Sequence, residues 1–170
     1  MKPSIKKIQT GINNPILRNT SEEITEITEE LKNFCDTLMT MMRKHDGVWL
    51  AAPQVGQNIR VIATSQREEK PKKNKFLRTT IMINPIITEK SKETIIWEEA
   101  CISLPDCIGK VKRHKNIQVE FLSSEGKKKT KKYKNFNAVI IQHEIDHLNG
   151  ILFMDKIEPE KKKKRKLKKQ

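Results

Sequence analysis

His143-Glu144-Ile145-Asp146-His147 carries the residue types of metal-assisted hydrolysis at the spacing of one helical turn. Side chains four apart on a helix lie one above the other, so both imidazoles can reach a single ion while Glu144 stands beside it. Phe136, Val139, Ile140 and Ile141 lead into this stretch and Leu148 leaves it. A helix so apolar is expected to be buried, and burying two imidazoles and two carboxylates without partners is costly. A bound dication removes much of that cost. Asp146 is expected outside the ligand set, hydrogen-bonding to steady the helix or a ligand.

The third ligand decides the chemistry, because a structural site closes with four protein donors while a catalytic one keeps a position open. His147-Leu148-Asn149-Gly150 begins like an extended three-histidine pattern, but its third histidine would fall at Phe153. Glu158 and Glu160 are too near and lie beyond a helix-ending Asn149-Gly150. The third ligand is therefore expected upstream, with Cys101 the candidate and Cys107 its rival.

Cys101 sits in Glu99-Ala100-Cys101-Ile102-Ser103, after an apolar Ile95-Ile96-Trp97. That segment resembles the second motif of the peptide deformylases, E-G-C-hydrophobic-S. Gly47-Val48-Trp49-Leu50-Ala51-Ala52-Pro53-Gln54 is similar to their first motif, and His143 to His147 to their third. Asn14-Pro15-Ile16-Leu17-Arg18 and Leu148 to Asp155 are also similar, so the likeness runs from about Ile8 to Ile157 in family order.

The resemblance implies hydrolysis of the formyl group from N-formylmethionyl peptides and nascent chains, releasing formate. Cys101, His143 and His147 would hold one divalent ion. Glu144 would take a proton from water and return it to the leaving amine. The side-chain amide of Gln54 and the backbone N–H of Ile102 would meet the charge developing on the formyl oxygen. Backbone groups of the Gly47 to Leu50 segment, Trp49 among them, would pair with the peptide as an added strand. The methionine pocket would be lined by Val48, Trp97, Phe136, Val139 and Ile140. A Cys/His/His set suits Fe(II), Zn(II), Co(II) or Ni(II), and the resemblance favours Fe(II).

Three positions depart from the family pattern. Trp49 stands where the family has a second glycine, Ala100 replaces another glycine, and Ile108 sits where many relatives have arginine. Trp49 puts a large ring where backbone should approach substrate, and it is expected over the mouth of the substrate groove. Two alternatives follow: a deformylase-like protein with a changed acyl substrate or weak activity, and a nonenzymatic metal- or ribosome-binding module suggested by the lysine clusters. Retention of Glu144 argues against the second, since binding a metal needs no general base.

The elements that must position these residues follow from composition and period. At 170 residues, with 35% hydrophobic, the chain suits a single domain with one modest core. No apolar run approaches a membrane span and Met1 to Gly11 lacks a signal core, so a cytoplasmic enzyme of bacterial type, or an organellar one, is expected. Three cysteines do not make a paired framework. Thr20-Ser21-Glu22-Glu23 reads as a capping box opening a long helix with the stripe Ile24, Ile27, Leu31, Phe34, Leu38, Met41 and Met42, ended by Asp46-Gly47. Strands are expected at Ile59 to Thr64, Thr80 to Thr88, Thr94 to Trp97 and Ile117 to Leu122, with an exposed loop over Gln66 to Lys75. The class is α+β: a long N-terminal helix and antiparallel or mixed strands around a central metal-binding helix.

Of the net charge of +14, eight positive residues lie in Lys161 to Lys169, leaving +6 for the rest, and Lys127 to Lys134 holds six more lysines. The expected division is a catalytic domain over 1–158 and a basic tail over 159–170. Such a tail binds polyphosphate surfaces. In the resembled family a C-terminal extension can hold the enzyme near the ribosome.

Overall fold

The computed structural model describes residues 7–45, 48–66 and 78–157. Gly47, Asp46, most of the loop expected over Gln66 to Lys75 and the basic tail over 159–170 lie outside them.

The first helix, α1 (Pro15–Arg18), opens with Asn14 accepting from the Ile16 N–H and proline in the first turn. The long helix α2 spans Glu29–Lys44, so it starts later than the capping box at Thr20 suggested. Tertiary contacts claim the backbone that the box would have wound. Ser21 N–H donates to Leu148 O, Asn84 brackets Ile24 through both its amide atoms, and Glu22 bridges to Ile59. Thr28 is the actual cap, accepting from Leu31 N–H, with Glu29 and Glu30 in the positive first turn. Ile24 and Ile27 still pack on the core that the α2 stripe builds.

The strands β1 (Trp49–Ala51), β2 (Val61–Gln66), β3 (Arg78–Lys90), β6 (Asn116–Leu122) and β7 (Lys128–Lys134) form one five-stranded antiparallel sheet, in the order β1-β2-β3-β6-β7. A second, two-stranded ribbon pairs β4 (Thr94–Cys101) with β5 (Leu104–His114). The last helix, α3 (Asn135–Leu148), packs against β1, β2, β5 and β7 and so lies between the sheet and the ribbon. The fold is a single α+β domain with antiparallel sheets. Among the described residues no helix is long and apolar enough to cross a membrane.

Strand β2 shows why both helices are needed. Val61 and Ala63 join Leu31, Phe34, Leu38 and Met42 of α2 in one core. Ile62, on the other face, joins Ile141, Ile145 and Leu148 of α3 with Val119 and Phe121. Successive strand residues face opposite sides, so covering both sides buries β2 almost throughout. A third cluster of Leu17, Cys101, Leu104, Val111, Leu152 and Phe153 pins the ribbon and the final turn together. Helix α3 stops where Gly150 takes φ +69, a position where a Cβ would collide with Arg18 O.

Candidate metal centre and its cleft

Cys101, ending β4, and His143 and His147, one turn apart on α3, bring ligand atoms within 4.8 Å of one another, and all three residues are buried. Cys101 Sγ lies 3.3 Å from His147 Nε2. His143 Nδ1 contacts Glu99 Oε2 at 2.8 Å, while His143 Nε2 has no partner among the described residues. A buried imidazole nitrogen left free beside a thiol and a second imidazole is a lone pair with nothing bound to it, which a metal ion can satisfy. This donor set fits a divalent ion of intermediate softness, and the sulfur and nitrogens suit tetrahedral coordination with a fourth position left over.

The same burial sets the charges. Burial, then the nearby Glu144 carboxylate, pushes the Cys101 thiol up to about 12. Burial, the neighbouring His143 and Arg113 hold the His147 imidazole well below its usual range, keeping it neutral. A coordinated cation would reverse the first effect and use the second, since ligation takes a thiolate and neutral imidazoles.

Glu144 is wholly buried, and neither of its carboxyl oxygens has a hydrogen-bond partner among the described residues. Its Oε1 lies 3.9 Å from His143 Nε2. Burial, with Glu99 and Asp146 adding repulsion against the opposing pull of Arg113, raises its carboxyl well above the ordinary range.

Gln54, in a short 3-10 turn over Ala52–Val55, is also buried. Its Oε1 accepts from Ala51 N–H at 2.8 Å, which turns Nε2 toward the centre, where it donates to Cys101 Sγ at 3.3 Å and Ser103 Oγ at 3.2 Å. Ile102 lines a cleft of about 530 Å³ with Val48, Trp49, Gln54 and Cys101. Trp49, half-buried, meets Phe136 edge to face at 5.8 Å and stands 6.3 Å from the His143 ring. The Trp97 ring centroid lies 5.4 Å from that of Phe136, the rings tilted. Val139 and Ile140 are buried on α3, and Gly47 lies outside the described residues.

A charge chain behind the centre was not anticipated from the sequence. Arg113 donates to both oxygens of Glu99 at 2.7 and 2.8 Å, and also to Asp146. Asp146 in turn accepts from Lys156 at 2.6 Å. Burial pushes the Glu99 carboxyl up, but the hydrogen bonds from Arg113 and His143 outweigh it and hold the group down at about 2. Arg113 occupies the inward phase of β5 shared by Cys107, Gly109 and Val111. A charge in the buried phase of a strand was the available signal, readable once the strand itself is known. Ser103, in the turn between β4 and β5, is fully buried and bonded to Gln54, and no sequence signal marked it.

A model of the polypeptide deformylase family matches residues 5–163. The peptide deformylase of Fusobacterium nucleatum is 41% identical over 137 residues, covering 81% of this chain and 74% of the relative. A probable peptide deformylase from Synechococcus phage S-SSM7 superposes with a TM-score of 0.81 at 41% identity, covering 89% of this chain and 99% of that one. The class I type b peptide deformylase of Acinetobacter baumannii, solved with Met-Ala-Ser bound, gives a TM-score of 0.82 at 32% identity, covering 92% and 100%.

Proposed function

The chain belongs to the polypeptide deformylase family, enzymes that remove the N-formyl group from nascent peptides, and we propose that it does so with Cys101, His143 and His147 holding one divalent ion and Glu144 carrying the proton. The observation that carries this reading is Glu144: a carboxyl buried completely, unpartnered among the described residues, with its Oε1 3.9 Å from the Nε2 of His143, one of two imidazoles clustered with a thiol. A binding module gains nothing from such a group, because burying it is costly.

When bound, the ion would polarise the formyl carbonyl and bring the pKa of water down toward neutrality. Glu144 accepts a proton as the water oxygen bonds to the formyl carbon. The amide N–H of Gln54 and the backbone N–H of Ile102 are the donors for the negative charge that develops on the formyl oxygen. Glu144 then delivers its proton to the departing nitrogen as the C–N bond breaks, leaving formate and a free amino terminus. Trp97, Phe136, Val139 and Ile140 form the apolar wall for the methionine side chain, with Val48 and Trp49 at its edge. Val48 leads into β1, an edge strand of the sheet that holds Trp49 and Leu50, where an extended peptide can add by backbone pairing. Asp146 and Glu99 act behind the ligands.

Fe(II) is the native ion in this reading, with Zn(II), Co(II) and Ni(II) able to occupy the same donors. Residues 1–158 form the catalytic domain, 159–170 an appended basic tail that contacts the ribosome, and the enzyme works in the cytoplasm. Formate release from formyl-Met-Ala-Ser by protein loaded with Fe(II) or Zn(II) tests the proposal. Metal analysis is expected to find about one ion per chain. Absence of hydrolysis by both loaded forms would overturn it.

A further inference from the structure

A second stripe of α3 looks onto a different cleft from the one beside the metal centre. His143 and His147 share one stripe, whereas Gln142, Ile145, Asp146 and Asn149, spaced three and four apart, share another and wall a cleft of about 600 Å³ against β3 and β5. Five Lys or Arg residues line it, Arg60, Lys90, Lys112, Arg113 and Lys156, against a single carboxylate, Asp146. Asp146 is already shared by Arg113 and Lys156. The other three cations have no ion pair among the described residues. Arg60 is half-buried, and its hydrogen bonds go only to neutral oxygens: Asn149 Oδ1 at 3.0 Å, Leu148 O at 3.4 Å and Pro85 O at 3.5 Å, the last two beyond the usual N–H···O range. Burial works against this charge, and Glu23 offsets it only through space.

Between these cations the cleft is apolar. Successive side chains of a regular strand face opposite sides, but β3 slips against β6 between Ile83 and Ile86 and again between Ile87 and Glu89. The two slips let Ile86 and Ile87 line the same cleft, with Pro85 before them and Ile145 across on α3. Ile86 is left 55% exposed. The strand advances roughly 16 Å from Pro85, beside Arg60, to Lys90. This makes an apolar strip with a cation at each end and Lys112 on the β5 side.

We infer that this cleft binds a small organic phosphate of nucleotide size, whose phosphates are held by Arg60, Lys90 and Lys112 and whose planar or apolar body lies on Ile86 and Ile87. A phosphate chain offers charged oxygens to cations on two banks at once, and each contact is a charge-assisted hydrogen bond. Inorganic phosphate alone would leave the isoleucines in water, and a nucleoside alone would leave the cations unpaired. The volume lies in the range of small-molecule sites. None of the three cations, nor Ile86, belongs to the deformylation machinery, so the inference stands apart from that reading.

Calorimetric titration of the full-length, metal-loaded protein with ATP, adenosine, tripolyphosphate and a short oligoadenylate at physiological salt tests it. ATP is expected to bind at one site, adenosine not detectably, and tripolyphosphate roughly tenfold more weakly than ATP for want of a body on the strip. Lys90→Glu and Lys112→Glu, both at exposed positions, are each expected to weaken ATP by roughly tenfold, the scale of one charge-assisted hydrogen bond, and to leave formate release unchanged. Ile86→Ser is expected to weaken ATP and leave tripolyphosphate as it was. Removing Lys161 to Gln170 is expected to change none of these affinities. ATP affinity equal to wild type in both lysine variants, ATP no tighter than tripolyphosphate, or ATP binding lost with the tail would each overturn the inference. Oligoadenylate held through Lys90 and Lys112 without ATP binding would also overturn it, and would make this face an RNA surface instead.

Discussion

Glu99 Oε2 lies 2.8 Å from His143 Nδ1, and Arg113 clamps the same carboxylate through two nitrogens. The contact assigns the proton of His143 to Nδ1 and presents Nε2 as a lone pair toward Cys101 and His147. A carboxylate behind a ligating imidazole fixes both its tautomer and its orientation.

Replacing Glu99 should therefore damage metal binding through a residue that is not itself among the proposed ligands. Glu99→Gln is expected to weaken ion affinity by roughly ten- to a hundredfold in a chelator competition. It also leaves a buried guanidinium with half its partners, so the apoprotein should lose about 3–5 kcal/mol in urea unfolding. Arg113→Met separates the two effects, because it removes the buried cation but keeps the carboxylate beside His143. If Glu99→Gln loses stability yet binds the ion as tightly as wild type, Glu99 is structural and does not position His143.

Glu144→Gln should show the opposite balance. The amide keeps the shape and fills the same space, so the ion stays. It cannot accept the proton of water, and turnover should fall by about two to four orders of magnitude. Stability should hold or rise, because wild type buries a carboxyl without a partner among the described residues. Formate release and thermal unfolding of the same preparation check both, and near wild-type turnover would move the base elsewhere.

The cluster of Cys101, His143 and His147 was legible because ligand chemistry is written in residue types and in the i,i+4 step. The strands β2, β3, β4 and β6 were legible from apolar runs, though β4 continues to Cys101 rather than ending at Trp97. What escaped was decided by tertiary context. Strand β5 carries Arg113 in its buried phase and β7 a single buried side chain, Tyr133, so in neither do apolar and polar residue types alternate as in a half-buried strand. The two possible openings of α2, at Thr20 and at Thr28, look alike until Leu148 and Asn84 compete for the backbone of Ser21 and Ile24.

Removing Lys161 to Gln170 takes away eight of the positive charges and none of the residues described in the three cores. Hydrolysis of a short formyl peptide is expected to stay unchanged. Ribosome affinity should fall, and its dependence on salt should become shallower as fewer phosphate contacts release counterions. Sedimentation with ribosomes at two salt concentrations reads both. Equal binding by the truncated protein would reduce the tail to a solubilising appendage.

Trp49 stands where the resembled family has glycine, and its ring leans on Phe136 at 5.8 Å while approaching His143 at 6.3 Å. Phe136 also meets Trp97 at 5.4 Å, so it is in contact with one tryptophan from β1 and one from the ribbon. A thioether side chain lying along these aromatics would gain contact with the indole, and such contacts are worth about 0.3–1.5 kcal/mol. Trp49→Gly is therefore expected to raise KM for formyl-Met-Ala-Ser by roughly two- to tenfold, with kcat nearly unchanged, the pattern of lost uniform binding. A lower KM would mean that the ring obstructs entry and would favour a changed acyl substrate. Lost stability with both constants intact would make Trp49 a packing residue whose ring has no part in substrate binding.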